Sequence, residues 1–370
     1  MNRTQQVKIK KGSVLVYRIF DIAEELQLSV AESKLKDLRG SDHFKLPKFI
    51  DRGLIMKSKP VAFGRGEVDL KLECGNYKME TLGKLRDYGT LSLIYQIQLK
   101  PGTTWSELVE LAADLEEGSE IDTIAQAEAL EVAKLIEPAL KRPTTWSTFE
   151  DYVIYFLEEF EDDVSAHNLV ERADVAALML AEDDTVLAKA TRESMVENIY
   201  QYGDNDLALV EWNSALVVEP NGIRDIPDIL EFALTHLLEM RFYDDLLDKR
   251  LNALYDDVER SKKGFRLQAP FGKVYEEASS RYIEFSEFIE KVENSLKVVG
   301  DFYLATVYRA ANRRFRLSDW QQNITRKMNL LAQVSSLLQG EVNMRRSHLM
   351  EITIIVLIAF EILSTVLKVF

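Results

Sequence analysis

The sequence predicts a mixed α+β protein, and three observations support this fold class. Short β-branched and aromatic runs alternate with helical patterns in the first part of the chain, long helical heptad patterns follow, and an almost uncharged run ends it. We therefore expect an α+β head domain (1–143), an acidic helical segment with a β-hairpin (144–222), coiled-coil-like helices that form a bundle (223–348) and a C-terminal transmembrane helix (352–370).

Composition narrows the class of function. The formal net charge of −15 argues against a broad nucleic-acid-binding surface, because phosphate contacts need clustered Lys and Arg. Lys8, Lys10 and Lys11 form a small basic cluster that a solvated terminus explains more simply than a nucleic acid does. Cys74 is the only cysteine, which excludes an intramolecular disulfide and a cysteine-rich metal site, and which fits a reducing compartment.

The strands of the head domain are predicted from residue type. Val14–Phe20 and Leu91–Gln98 are rich in β-branched and aromatic residues, as strands are. Phe49–Lys59 and Glu67–Glu73 are predicted to be shorter strands, with a turn at Gly64-Arg65-Gly66 between them.

Three helices are predicted in the same domain. Asp21–Leu38 and Ile121–Leu140 carry apolar residues at helical spacing. Thr104 is predicted to cap a helix between them, in which Trp105, Leu108, Leu111 and Leu115 form one apolar face.

The segment Thr144–Asp183 is predicted to be helical and acidic, and Ser147 with Glu150 fits a capping box at its start. A solvated face is the favoured interpretation of its carboxylate cluster, and a divalent-metal site is the alternative, although no calcium-loop motif is present. The cluster consists of Glu158, Glu159, Glu161, Asp162 and Asp163.

A β-hairpin is predicted further along the chain. Ser194–Tyr202 and Leu207–Val218 flank the turn residues Gly203-Asp204-Asn205-Asp206. The second run is long for a strand, and a bulge is expected around Asn213–Ser214.

Heptad-like spacing predicts long helices over Leu230–Val258, over Tyr282–Tyr303 and from Trp320 onward. One chain need not cover such seams alone, so self-association through these helices is expected. Asp244 is polar within the seam, where it sets register or accepts a bond from Arg241 or Arg250. The predicted seam residues are Leu237, Met240, Asp244, Leu247, Leu251 and Leu254.

The search for catalytic chemistry is negative. The four histidines (His43, His167, His236 and His348) show no H-x-x-x-H spacing, and the chain lacks a P-loop and a nucleophile elbow. We therefore expect no catalytic residue, no cofactor and no metal ligand.

The C-terminal run just reaches the length that a bilayer-spanning helix needs. Arg345, Arg346 and His348 precede it as a basic collar of the kind that stays on the cytoplasmic side. Glu361 interrupts the run, and a carboxylate in lipid is expected to pair with another helix or to be protonated. The predicted anchor residues are Ile352, Ile354, Ile355, Val356, Leu357, Ile358, Phe360, Glu361, Ile362 and Leu363.

Several C-terminal stretches resemble the YagE family, also called the required-for-meiotic-nuclear-division family. The resemblance is carried by Asp301-Phe302-Tyr303, by Met328, Asn329 and Leu331, by Met344–Glu361, by Ser214–Pro220, by Leu230–Ala233 and by Glu239–Asp244. That family has no established reaction, and its eukaryotic members resemble mitochondrial inner-membrane proteins that support organellar translation.

The resemblance implies a non-enzymatic, membrane-anchored scaffold or assembly factor with a ribosome-associated protein partner. The N-terminus shows no signal peptide or mitochondrial leader, so we expect a bacterial inner-membrane protein with its body in the cytoplasm, or the matrix side of the mitochondrial inner membrane if a leader has been removed. Two alternatives remain: a soluble homo-oligomer whose core buries the tail helix, and a divalent-metal-dependent enzyme or ligand-binding head.

Overall fold

The computed structural model describes residues 7–36, 59–144, 148–161, 164–263 and 302–369, together with a few positions between 280 and 290. The chain divides into two units. The first comprises Met1–Glu239 with Lys291–Ser318, and the second comprises Met240–Glu290 with Asp319–Phe370. A sheet-rich N-terminal region is followed by helices, which confirms the predicted α+β class.

One large sheet forms the centre of the first unit. Within the described residues its strand order is β3-β4-β5-β1-β8-β11-β10-β9, β6 pairs with β1, and β2 and β7 form a separate pair. Neighbouring strands are antiparallel except β8 and β11, which are parallel. The strands are β1 (Lys8–Asp21), β2 (Ala23–Leu26), β3 (Val61–Leu72), β4 (Gly75–Leu85), β5 (Thr90–Gln98), β6 (Thr103–Thr104), β7 (Leu140–Pro143), β8 (Phe149–Phe160), β9 (Ile199–Tyr200), β10 (Leu207–Val210) and β11 (Ser214–Val218).

Helices cover the sheet and form the rest of the described chain. They are α1 (Leu28–Lys36), α2 (Trp105–Glu117), α3 (Glu120–Leu135), α4 (Ala166–Arg172), α5 (Val175–Met179), α6 (Lys189–Val196), α7 (Asp225–Lys263), α8 (Phe302–Arg314) and α9 (Leu317–Val369).

Both faces of the central strands are buried, and the two faces differ in character. Successive residues of a strand point to opposite faces, so Val14 and Val16 of β1 lie on one face while Leu15 and Tyr17 lie on the other. The first face packs in an apolar core with α2, α3, α4 and α5. The second face lies against α7 and α8 and carries buried charges, which makes it the polar side of the sheet.

The strongest local predictions are confirmed. The predicted strands Val14–Phe20 and Leu91–Gln98 lie within β1 and β5. Thr104 caps α2 in a capping box with Glu107, and the predicted apolar face of that helix is buried. The heptad-like pattern of Leu230–Val258 lies within α7.

The predicted acidic helix over Thr144–Asp183 is wrong, because β8 occupies its centre and pairs with β1 and β11. A strand buried on both faces has an apolar run without period-2 alternation, so its pattern does not distinguish strand from helix. Glu150 lies inside β8 rather than in a helix cap, and Ser147 lies outside the described residues. Helices α4 and α5 account for only the later part of the segment.

Three predictions near the start of the sheet need correction. Asp21–Leu38 is helical only over α1, because Ala23–Leu26 pairs with β7. The predicted turn at Gly64 and Gly66 is a β-bulge inside β3, where Gly66 has φ +92°. The predicted helix Ile121–Leu140 ends at Leu135, where a 3₁₀ turn leads into β7. Most of Phe49–Lys59 lies outside the described residues.

The predicted β-hairpin is confirmed in part. β9 pairs with β10 across the Gly203–Asp206 turn, but Ser194–Val196 belongs to α6. The expected bulge at Asn213–Ser214 is instead the turn of a second hairpin, between β10 and β11. This turn directs β11 back beside β8.

The described part of the second unit is helical. Most of the predicted helix Tyr282–Tyr303 lies outside the described residues. The pattern that begins at Trp320 belongs to α9, which continues without a break into the apolar tail. As the lack of a turn signal predicts, one helix joins the heptad-like stretch to the C-terminal run.

Candidate functional site

The C-terminal part of α9 is apolar and exposed. Among the described residues, one helical window is long and apolar enough to cross a membrane: Ser347–Ser364, with a mean hydropathy of 1.8 and none of it buried. The structure places all the predicted anchor residues on this helix, and each is exposed, including Glu361.

The basic collar lies next to this window in the same helix. Arg345 and Arg346 immediately precede it. His348 is exposed, and its Nδ1 atom lies 3.5 Å from Oε2 of Glu351, which is an ion pair only when the imidazole is protonated. The collar and the apolar run therefore follow one another along one continuous helix.

The apolar seam residues are buried, as predicted: Leu237, Met240, Leu247, Leu251 and Leu254. The sequence interpretation missed the partner that the structure gives to Asp244. Lys327 of α9 lies 2.7 Å from Asp244 and 2.7 Å from Asp248. Partial burial opposes the charge on Lys327, but the two carboxylates outweigh burial and raise its pKa. The signal that could have suggested this pair is Lys327, a basic residue within the other heptad-patterned helix.

A stripe of polar residues on α7 faces the polar side of the sheet. Asp228, Glu231, Thr235 and Glu239 recur at spacings of three and four, and Glu231 and Thr235 are fully buried. The sequence interpretation did not identify this stripe, because the apolar residues on either side of it dominate the helical pattern.

Two buried cations of the sheet bind the stripe. Nζ of Lys84 lies 2.8 Å from Asp228 and 2.5 Å from Glu231, and the guanidinium of Arg86 lies 3.2 Å from Glu231. Burial alone would raise the pKa of Glu231, but Lys84 and Arg86 outweigh it and hold the pKa below its ordinary value. Arg86 also lies 5.5 Å from the ring centroid of Phe232, an arrangement that favours a cation.

His236 is fully buried between α7 and α8. Its Nδ1 atom lies 3.0 Å from the hydroxyl of Tyr308, and its ring lies 4.1 Å from that of Phe232. Burial and the nearby charge of Arg86 lower the pKa of His236 to about 3. The imidazole is therefore neutral at physiological pH and serves as a packed, hydrogen-bonded core residue.

The predicted carboxylate cluster forms ion pairs instead of converging on one point. Glu159 lies 2.6 Å from Lys10, and Glu158 pairs with Lys11 across β8 and β1. Asp162 and Asp163 lie outside the described residues. In the part of the chain that the structure describes, no three His, Cys, Asp or Glu side chains are placed to hold a metal ion.

Comparison with known proteins relates the chain to one family. The model of the N-terminal domain of the uncharacterised protein MJ0711 matches residues 11–225. Protein MJ0711 of Methanocaldococcus jannaschii is 22% identical over 232 residues, which are 62% of this chain and 70% of that protein. No solved structure matches the chain.

The resemblance to the YagE family is therefore wrong, since the matched family is a different one. Most stretches that carried the resemblance lie in the long helices and the apolar tail, where unrelated proteins share the same residue types. The family match lies instead over the sheet-rich part, from β1 to the start of α7. The chain belongs to the family defined by the N-terminal domain of protein MJ0711.

Proposed function

We propose that the protein is a non-enzymatic scaffold that the C-terminal part of α9 anchors in a membrane. The observation that carries this proposal is the apolar window Ser347–Ser364, none of which is buried within the chain. In this proposal the sheet-rich unit is a binding body, and its buried charges fix the position of the first part of α7 on the sheet.

The dimensions of the window support insertion. A helix rises about 1.5 Å per residue, so a window of this length extends over nearly the roughly 30 Å of a bilayer core. A contiguous apolar surface of this size is unfavourable in water, and it requires lipid or another protein to cover it. Lipid is the occupant we favour, because exposed apolar residues lie on every side of the helix, as the consecutive residues Ile354–Leu357 show.

The basic collar supports one orientation. Arg345 and Arg346 lie directly before the window, and positively charged residues flanking a transmembrane helix are retained on the cytoplasmic side. We therefore propose that the body of the protein lies on the cytoplasmic side of the membrane. The ribosome-associated partner rested on the YagE resemblance and is not carried over.

Self-association through the helices remains a prediction. The seam residues Leu247, Leu251 and Leu254 are already buried within one chain, so this seam does not itself require a second copy. Any association of chains would use other helix faces. A soluble oligomer that buries the tail in its core is the competing arrangement.

Fractionation of cells that express the full-length chain tests the anchor. We expect the protein to sediment with membranes, to remain there after alkaline carbonate extraction and to float with liposomes. The matched variant lacks residues 347–370 and should remain in the soluble fraction with unchanged circular dichroism in the sheet region.

The competing arrangement gives a different result. A full-length chain that is soluble and monodisperse without detergent contradicts the anchor. Light scattering of that material could then give a defined oligomer. If removal of residues 347–370 dissociates this oligomer into monomers, the tail forms the core of the oligomer.

A further inference from the structure

Two acidic side chains are buried together where β1 meets α7. Asp21 is 5% exposed and Glu239 is 6% exposed. Asp21 ends β1 and lies opposite Thr90 of β5. On α7, Thr235 is one turn before Glu239, and its hydroxyl lies 2.9 Å from that of Tyr88, two residues before Thr90. The helix periodicity and the strand register thus bring Glu239 over the end of β1.

A third acid lies next to this pair and already has a cation as its partner. Glu24 of β2 contributes a third carboxylate, and Nε of Arg142 on β7 lies 2.8 Å from that carboxylate. One carboxyl oxygen of Glu239 has no hydrogen-bond partner among the described residues. The hydroxyl of Thr144 donates to the backbone carbonyl of Asp21, 2.7 Å away, and not to its carboxylate.

Two further neighbours, Arg86 and His236, form contacts of their own. Arg86 and Asp87 lie in the turn between β4 and β5, and Arg86 is held by Glu231. On the helix side, His236 of α7 is neutral and bonded to Tyr308 of α8. The carboxylate of Glu24 disfavours the ionised forms of both Asp21 and Glu239.

These surroundings favour the protonated forms. Burial is the largest effect on Asp21, and it raises the pKa to about 8, with Glu24 acting in the same direction and the backbone N–H of Ala23 against it. Burial, Asp21 and Glu24 raise the pKa of Glu239 well above its ordinary value. Interacting acids of this kind titrate together, as a pair.

We propose that Asp21 and Glu239 form a proton-dependent latch, which holds the first half of α7 on the sheet while the pair is protonated and loosens it when the pair ionises. The latch depends on the free-energy cost of burying an ionised carboxylate without an opposite charge beside it. Opening gives both carboxylates access to water, where their ionised forms are stable.

The direction of the pH dependence follows from proton linkage. Carboxyl groups in an open, solvated segment titrate near pH 4, about four pH units below Asp21 in the closed state. The closed state then binds more protons between these values, so its advantage is complete below about pH 4 and is lost as the pH rises towards about 8.

Hydrogen exchange of the full-length protein in mild detergent tests the latch. The readout is the opening constant of peptides within residues 229–239, after correction for the chemical exchange rate at each pH. We expect the opening constant to rise by up to about tenfold per pH unit for each linked proton, from about pH 5 to about pH 8, and then to level off. Asp21→Asn and Glu239→Gln should each flatten this rise.

Glu25→Gln is the matched control, because Glu25 is an exposed acid of β2 that lies 2.7 Å from Lys141. This variant should keep the wild-type rise. The same rise in wild type, Asp21→Asn and Glu239→Gln overturns the latch.

Infrared spectroscopy of the wild-type protein keeps the proposal testable if the variants do not fold. We expect the carbonyl band of a protonated carboxyl group in D₂O at neutral pH, and we expect it to disappear in alkaline buffer together with the loss of α7 protection. A wild-type spectrum without that band at neutral pH overturns the proposal.

Discussion

At the scale of single residues, the polar side of the sheet stands out for the number of charges that it buries. Lys84, Arg86 and Glu231 are each less than 5% exposed, and each charge lies within hydrogen-bond distance of an opposite one. A buried ion pair adds little net stability relative to an apolar pair, but the loss of one partner leaves a charge that is expensive to bury. The arrangement therefore fixes the position of α7 more than it increases stability.

The first residue-scale prediction concerns Glu231. Glu231→Ala leaves Lys84 and Arg86 buried without the carboxylate that both of them contact, so the free energy of unfolding should fall by about 3–5 kcal/mol. Chemical denaturation in mild detergent measures it. The control is Glu25→Ala, which breaks an exposed pair with Lys141 and should change stability by less than about 1 kcal/mol. Equal losses in the two variants would contradict the buried network.

The second residue-scale prediction concerns His236. Its pKa is lowered to about 3 in the folded protein, so its contribution to stability is present above about pH 6.5 and is lost as the pH falls. His236→Gln removes this titration. Between about pH 6.5 and 5, the wild type should lose up to about 1.4 kcal/mol per pH unit relative to the variant.

Unfolding free energies of the two proteins at several pH values measure this difference. His167→Gln is the control, because His167 is exposed on α4 and should not change the slope. Parallel pH profiles for wild type and His236→Gln would show that the imidazole is accessible to protons in the folded state.

At the scale of elements, α7 changes along its length from a fully buried helix to one that is buried on a single side. Residues 229–240 are buried around the whole circumference, and Leu247, Leu251 and Leu254 continue as a narrower buried seam. A helix that is buried all round is a core helix, whereas a buried stripe is typical of a surface helix.

The turn before β5 requires glycine at position 89. Gly89 has φ +89°, and a Cβ atom there would lie 1.5 Å from the carbonyl oxygen of Ala23.

The element-scale prediction concerns the seam. Leu247→Ala and Leu251→Ala should each lower the free energy of unfolding by about 2–5 kcal/mol, because each removes a buried side chain. Leu330→Ala is the control, since Leu330 is 38% exposed on α9 and should cost much less. Thermal unfolding, monitored by circular dichroism, ranks the stabilities of the three variants. A similar loss of stability in all three would contradict the burial of Leu247 and Leu251 in the seam.

At the scale of the whole molecule, one helix carries both the heptad-like pattern and the exposed apolar window. α9 runs from Leu317 to Val369, and the change from half-buried to exposed apolar residues occurs within it. We propose that this exposed apolar part anchors the chain in a membrane, so its composition should set how the chain partitions between water and lipid.

The whole-molecule prediction compares two substitutions in the window. Leu357→Glu adds a carboxylate one turn before Glu361 and should shift protein into the soluble fraction, since a charged residue costs a few kcal/mol in the bilayer centre. Glu361→Leu removes the charge and should leave retention unchanged or increase it. Liposome flotation measures both, and equal retention of wild type and Leu357→Glu would contradict insertion.

Features that depend on local spacing and length could be predicted from the sequence alone. The Thr104 cap, the strands around Val16 and Leu93, the helix that carries Leu247, and the apolar run from Ile352 could all be predicted, because each depends on neighbouring residues alone. The charges that pair Glu231 with Lys84 gave no such signal, since these residues lie far apart in the sequence.

The central position of β8 and the pairing of Glu158 and Glu159 with lysines depend on long-range contacts. The middle of β8 has no period-2 signature, because both of its faces are buried. The same holds for Asp21 and Glu239, which the fold brings together from β1 and α7. Local chemistry determines which elements form, whereas long-range packing determines which of their charges meet.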